Sequence, residues 1–157
     1  NLSALWVYLS YVAGMVAVTS KHSSELTITE YIFCFFGFLV WLAGFIIEVV
    51  SDNQKKKFKE DISNKDKFIS HGLWAWSRHP NYFGEILLWI GITIIAIPIF
   101  KNWDYLALIS PIFIYYLLVN VSGIPMLERA ADQKWGNNED YISYKNKTNI
   151  LFLKKPD

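Results

Sequence analysis

The chain has 157 residues, 53% hydrophobic and only 18% charged, a balance that excludes a disordered segment and argues against an ordinary soluble domain. Its 15 basic and 14 acidic side chains leave a net charge of +1, so no global field marks a nucleic-acid partner. A single cysteine, Cys34, and three scattered histidines exclude a disulfide framework and a metal cluster, and no metal ligands are expected.

The sequence starts at Asn1 with no basic n-region ahead of the first apolar run, the pattern of a chain missing its start and not of a secretory signal. Four apolar stretches are long enough to cross a bilayer, near 2–19, 28–50, 82–100 and 103–124. From Tyr31 to Val49 the only polar side chains are Cys34 and Glu48, without the polar face of a soluble helix. Trp6, Tyr31, Tyr82, Trp103 and Tyr105 lie at the ends of these stretches, as an interfacial belt requires. Seven of the Lys and Arg residues fall in 51–79 and six in the tail beyond 124, so both segments are expected on the cytosolic side. The expected architecture is an all-α integral membrane helical bundle. A single domain over 1–157 has about four transmembrane helices, a cytosolic loop at 51–79 and a cytosolic tail at 125–157 carrying an interfacial C-terminal helix.

Glu48, Asp52, Lys55 or Lys56, and Lys59 recur at three- and four-residue spacing and share one helical face. Acid near the membrane and lysines beyond it suit a ribose hydroxyl and phosphates. The same spacing also fits a ladder of surface ion pairs, and Lys55, Lys56, Lys57 and Lys59 fit a polybasic patch for anionic headgroups. Pro80 disfavours helix at His79 and suits the first helical position, so a span is expected to start there. Its free backbone N–H groups, beside Arg78 and His79, suit an anion; a helix cap with a positive anchor explains the same residues. Glu85 stands one and a half turns inside that helix, where an unpaired ionisable group costs about 2.5–3.5 kcal/mol. Gly123 and Pro125 break the last span, and Tyr141 and Tyr144, three apart, share one side of a tail helix. Two such rings near Glu128 can wall a flat heteroaromatic ligand, or belong to an amphipathic surface helix.

The run Trp74 to Glu85, with its core Ser77-Arg78-His79-Pro80-Asn81-Tyr82-Phe83-Gly84-Glu85, joins the upstream Glu48…Asp52-Asn53-Gln54. Downstream stand Ser122-Gly123-Ile124-Pro125…Glu128…Tyr141…Tyr144. In order and spacing, over about the last 120 residues, this set resembles the steroid 5-alpha-reductase C-terminal domain and its membrane superfamily. That superfamily includes sterol reductases and isoprenylcysteine carboxyl methyltransferases. The resemblance implies an NADPH-dependent oxidoreductase acting on a CH–CH group, reducing a sterol-like, isoprenoid or lipid enone. The cofactor-binding set would be Glu48, Asp52, Lys56, Lys59, Arg78, His79, Asn81, Tyr82, Glu128, Tyr141 and Tyr144, with Glu85 as the catalytic acid. Asp52-Asn53-Gln54 followed by lysines resembles the reductase branch more closely than the methyltransferase branch, whose cofactor is S-adenosylmethionine. The substrate-polarising Glu and Tyr of steroid 5-alpha-reductases lie on earlier helices absent here, which leaves a non-catalytic accessory subunit of a membrane complex as a third reading. Partners are expected to be membrane lipids and an apolar, sterol-like substrate, with no nucleic acid. The family implies the endoplasmic reticulum; the mitochondrial or bacterial inner membrane also fits the topology.

Overall fold

A computed structural model describes residues 27–155; the expected span at 2–19 lies outside them. Among the described residues the elements are helical throughout. Helix α1, Ile28–Glu60, is followed by α2, Pro80–Ala96, and α3, Ile109–Tyr116. Helices α4, Ile124–Trp135, and α5, Glu139–Lys147, follow. Three helical stretches, Ile28–Glu60, Pro80–Ile99 and Asn102–Trp135, are long and apolar enough to cross a membrane.

The helix boundaries follow from local chemistry. Thr27 and Glu30 cap α1 reciprocally: the Thr27 amide donates to Glu30 Oε2 at 2.6 Å and the Glu30 amide donates to Thr27 Oγ1. At 33 residues α1 is about 50 Å long, well beyond a hydrocarbon core of about 30 Å, so its polar end projects past the apolar region. Pro80 occupies the first position of α2, and the His79 carbonyl accepts from the Phe83 amide. Pro98 lacks an amide hydrogen, and α2 gives way at Ala96 to a tighter turn over Ile97–Ile99. The last apolar stretch begins as a 3₁₀ segment, Asn102–Leu108, runs through α3, and loosens to a π turn over Leu117–Val121 before Gly123.

The chain forms two compact units. In the first, residues 27–44 and 86–117, α1 and α2 cross at a glycine pair. A Cβ on Gly91 would stand 2.5 Å from the Trp41 amide nitrogen, and one on Gly37 would stand 2.8 Å from the Gly91 carbonyl oxygen. Such backbone contact is how membrane helices gain packing without a hydrophobic driving force. Ala96, Phe100 and Ala107 form this unit's buried cluster, with Ile92, Ile97 and Ile99 against it. The outward face of α1, including Phe35, Phe36 and Ile46, is exposed in the isolated chain and matches a lipid-facing surface. The second unit, residues 45–85 and 118–155, carries nearly all the chemistry. Gly91→Val should destabilise the first unit by about 1–3 kcal/mol, read as a lower melting temperature in detergent; an unchanged melting point would contradict the close crossing.

Candidate functional site

The second unit is built around the segment from Gly72 to Pro80. Gly72 adopts φ +63, and the Gln54 side chain fills the space a Cβ would need, with Gln54 Oε1 accepting from the Leu73 amide at 2.9 Å. Trp74 is buried and its Nε1 donates to the Ser51 carbonyl at 2.9 Å. These two bonds fix the segment to α1.

The tail then straps the segment from the other side. Arg78 N donates to the Asn149 carbonyl at 2.8 Å, Lys154 N to the Trp76 carbonyl, and Ser77 Oγ to the Leu151 carbonyl at 2.8 Å. Tyr144 on α5 donates its hydroxyl to the Trp74 carbonyl at 2.7 Å. Ser77, wholly buried, also accepts from the His79 amide, so one hydroxyl joins the tail to the start of α2.

Glu128 on α4 is the electrostatic centre. Its carboxylate meets Arg78 Nη2 at 3.2 Å, His79 Nε2 at 2.9 Å and Lys145 Nζ at 3.5 Å. Arg78 Nη1 also donates to the Lys145 carbonyl at 2.7 Å, while its Nε is buried without a hydrogen-bond partner. Lys145 bridges on to Asp132, which in turn accepts from the Tyr141 hydroxyl.

Beside this network lies a cleft of about 320 Å³, at the small end of the range for ligand sites. Phe58, Phe68, Trp74, Trp135, Tyr141 and Tyr144 supply aromatic walls. Phe68 sits among three of these rings, 5.3 Å from Tyr141, 5.4 Å from Tyr144 and 6.0 Å from Trp135. Its loop is held by Asp66, at φ 65, whose carbonyl accepts from Trp135 Nε1 at 2.6 Å and whose carboxylate pairs with Lys134 at 2.9 Å. Lys55, Lys59, Lys67, Lys134 and Arg78 bring positive charge to the cleft against the single acid Glu128. Lys55 lies over the Trp74 ring at 4.7 Å, and Lys59 and Lys67 make no ion pair among the described residues.

Of the residues singled out from the sequence, Lys59, Arg78, His79, Glu128, Tyr141 and Tyr144 line this cleft. Lys56 does not: it is exposed and pairs along the helix with Glu60 at 3.9 Å, and Lys55 takes the inward position. Glu48, Asp52 and Glu85 also lie off the cleft, close enough to one another and to Tyr82 to interact electrostatically. Tyr82 stacks on His79 at 5.8 Å, and Asn81 is half-buried in the first turn of α2. Sequence reasoning missed Phe58, Lys67, Phe68, Trp74, Lys134 and Trp135. Phe58 was within reach of the pattern, three residues after Lys55 on the same face.

Burial pushes both tail tyrosines up from their usual value near 10, Tyr141 to about 12 with help from the Asp132 carboxylate, and Tyr144 further. A raised pKa means that the folded state holds the proton more tightly, so the contribution is complete below pH 10 and is lost as pH rises through about 12. The melting temperature should therefore fall steeply above pH 10. Tyr144→Phe should cost about 1 kcal/mol at neutral pH by leaving the Trp74 carbonyl without its donor, and should flatten the alkaline fall; an unaltered alkaline profile would contradict the role given to this hydroxyl.

Comparison with known proteins places the chain. A probable O-methyltransferase of Ustilaginoidea virens is 29% identical over 101 residues, 59% of this chain and 35% of the relative. The 3-oxo-5-alpha-steroid 4-dehydrogenase 1 of Mus musculus is 32% identical over 62 residues, 39% of this chain and 24% of the relative. Its counterpart in Macaca fascicularis is 36% identical over 55 residues, 35% of this chain and 21% of the relative. The chain thus spans about a third or less of the length of these curated relatives. No solved structure gives a significant match. The family described as "Protein of unknown function (DUF1295)" matches residues 1–148, and the chain belongs to it, a membrane family of steroid 5-alpha-reductase-like proteins.

Proposed function

We propose that the protein is an NADPH-dependent membrane reductase of a sterol-like, isoprenoid or other lipid enone. The observation that carries this reading is the charge of the cleft: lysines from α1, the following loop and α4 converge between aromatic walls on a space with one carboxylate, itself paired with Arg78 and Lys145 and within hydrogen-bond distance of His79. Such a cleft suits an anionic, heteroaromatic ligand. NADPH is polyanionic, whereas S-adenosylmethionine carries a sulfonium cation and no phosphate. The similarity to 3-oxo-5-alpha-steroid 4-dehydrogenases supports the same choice.

The residues present fit a phosphorylated nucleotide. Lys59 and Lys67 would hold phosphate oxygens, and Arg78, with its buried Nε, would add a donor. Phe68, Tyr141 and Tyr144 would present ring faces to the base. NADPH, when bound, supplies a hydride for one carbon of the polarised double bond; the other carbon needs a proton. Glu85, half-buried in the first turns of α2, is the group we assign to hold that proton, with Glu48 and Asp52 nearby.

The match to the O-methyltransferase, which covers the largest share of this chain among these relatives, favours methyl transfer from S-adenosylmethionine as the second reading. A titration of purified protein separates the two. Energy transfer from the tryptophans to the nicotinamide should saturate, resist competition by S-adenosylmethionine, and weaken with added salt. Lys59→Glu combined with Lys67→Glu should weaken NADPH binding at least roughly tenfold with the melting temperature unchanged, since both side chains lack structural ion pairs. Binding insensitive to both reversals, or saturable only with S-adenosylmethionine, would overturn the reductase assignment. Glu85→Gln should lower turnover of an enone substrate and leave NADPH affinity intact.

A further inference from the structure

The tail does more than strap the Gly72–Pro80 segment. Residues 148–155 leave α5 as an irregular run with bends at Thr148 and Ile150–Phe152. Leu151 turns inward and is 3% exposed, while Ile150 and Phe152 turn outward at 42% and 62% exposed. Trp76, whose carbonyl holds the Lys154 amide, is likewise 43% exposed. The Phe152 ring packs edge-on to Phe83 at 5.9 Å, and Phe83 lies in the first turn of α2, the beginning of a membrane-spanning stretch. Lys154 and Lys155 follow after Leu153, both exposed. Large apolar side chains held outward at the end of a span, with an indole and two cations beside them, have the composition of a bilayer interface.

We propose that the strap is a lipid-headgroup anchor: Trp76, Ile150 and Phe152 enter the interfacial layer of the bilayer that α2 crosses, and Lys154 and Lys155 meet anionic headgroups. The partner is the membrane surface itself, because Phe152 packs on Phe83 where the membrane-spanning stretch begins, and the patch carries charge complementary to anionic lipid. The inference rests on the membrane fold and not on the ligand of the cleft. Since the same strap hydrogen-bonds Trp76, Ser77 and Arg78, lipid engagement would also steady the wall of the cleft.

The test uses the full chain in vesicles, with Cys34→Ser removing the only cysteine and Phe152→Cys carrying a nitroxide label. Asp140→Cys, at an exposed site on α5, serves as the reference. The label at 152 should be more accessible to oxygen than to a water-soluble nickel chelate, the label at 140 the reverse. The 152 label should also move deeper when phosphatidylglycerol is added to phosphatidylcholine. Equal chelate accessibility at the two positions would overturn the anchor; depth at 152 unchanged by phosphatidylglycerol would overturn its anionic-headgroup part. A second measurement avoids labels: Lys154→Glu with Lys155→Glu should remove the phosphatidylglycerol-dependent gain in melting temperature, and persistence of that gain would refute the role of the lysines.

Discussion

The second unit depends on one carboxylate. Glu128 faces Arg78 and His79 from the segment before α2 and Lys145 from α5, so three stretches distant in sequence meet at two oxygens. Arg78 and Glu128 are mostly buried, 12% and 15% exposed in their side chains, which removes the solvent screening that makes surface pairs weak. It also makes the arrangement intolerant of a missing partner: a guanidinium kept from water without its carboxylate costs far more than the pair contributes. The hydrogen bonds of the tail to Trp74, Trp76, Ser77 and Arg78 surround this hub and hold it in register.

This arrangement divides labour among the cations. Arg78 is spent largely on protein partners, its Nη1 on a carbonyl and its Nη2 on Glu128. It is therefore a structural residue, and its loss would loosen the tail. Lys59 and Lys67, both exposed, carry no ion pair among the described residues and line the cleft with their charge unspent. The aromatic walls are the rigid part: Phe68, Trp135, Tyr141 and Tyr144 buttress one another, and Asp66 fixes the loop that brings Phe68 to them.

Much of the fold was legible because membrane helices announce themselves by length and apolarity, and because proline marks their starts. Pro80 opens α2, and Tyr141 and Tyr144, three apart, both face the cleft. The spacing could not choose between Lys55 and Lys56, since three and four residues after Asp52 are equally helical; Trp74, nineteen residues later, decides it by offering Lys55 its ring. The loop carrying Lys67 and Phe68 has no periodicity to read, and its shape depends on a left-handed aspartate held by Trp135 across 69 residues of sequence. The last apolar stretch read as one continuous helix, but it starts as a 3₁₀ segment with Asn102 at φ 50 and ends in a π turn. Hydropathy is blind to both, because neither changes which side chains are apolar.

The remaining question is why one helix carries acids at 48 and 52 and inward lysines at 55 and 59. Seven residues of α1 separate Glu48 from Lys55, about 10 Å of rise, and Glu85 joins the acidic end while Lys67 joins the basic one. The second unit is therefore electrically polar along α1. Any ligand that spans the unit would meet carboxyl groups at one end and cations at the other. Charge order along a single helix thus constrains which end of a bound ligand faces which end of the unit.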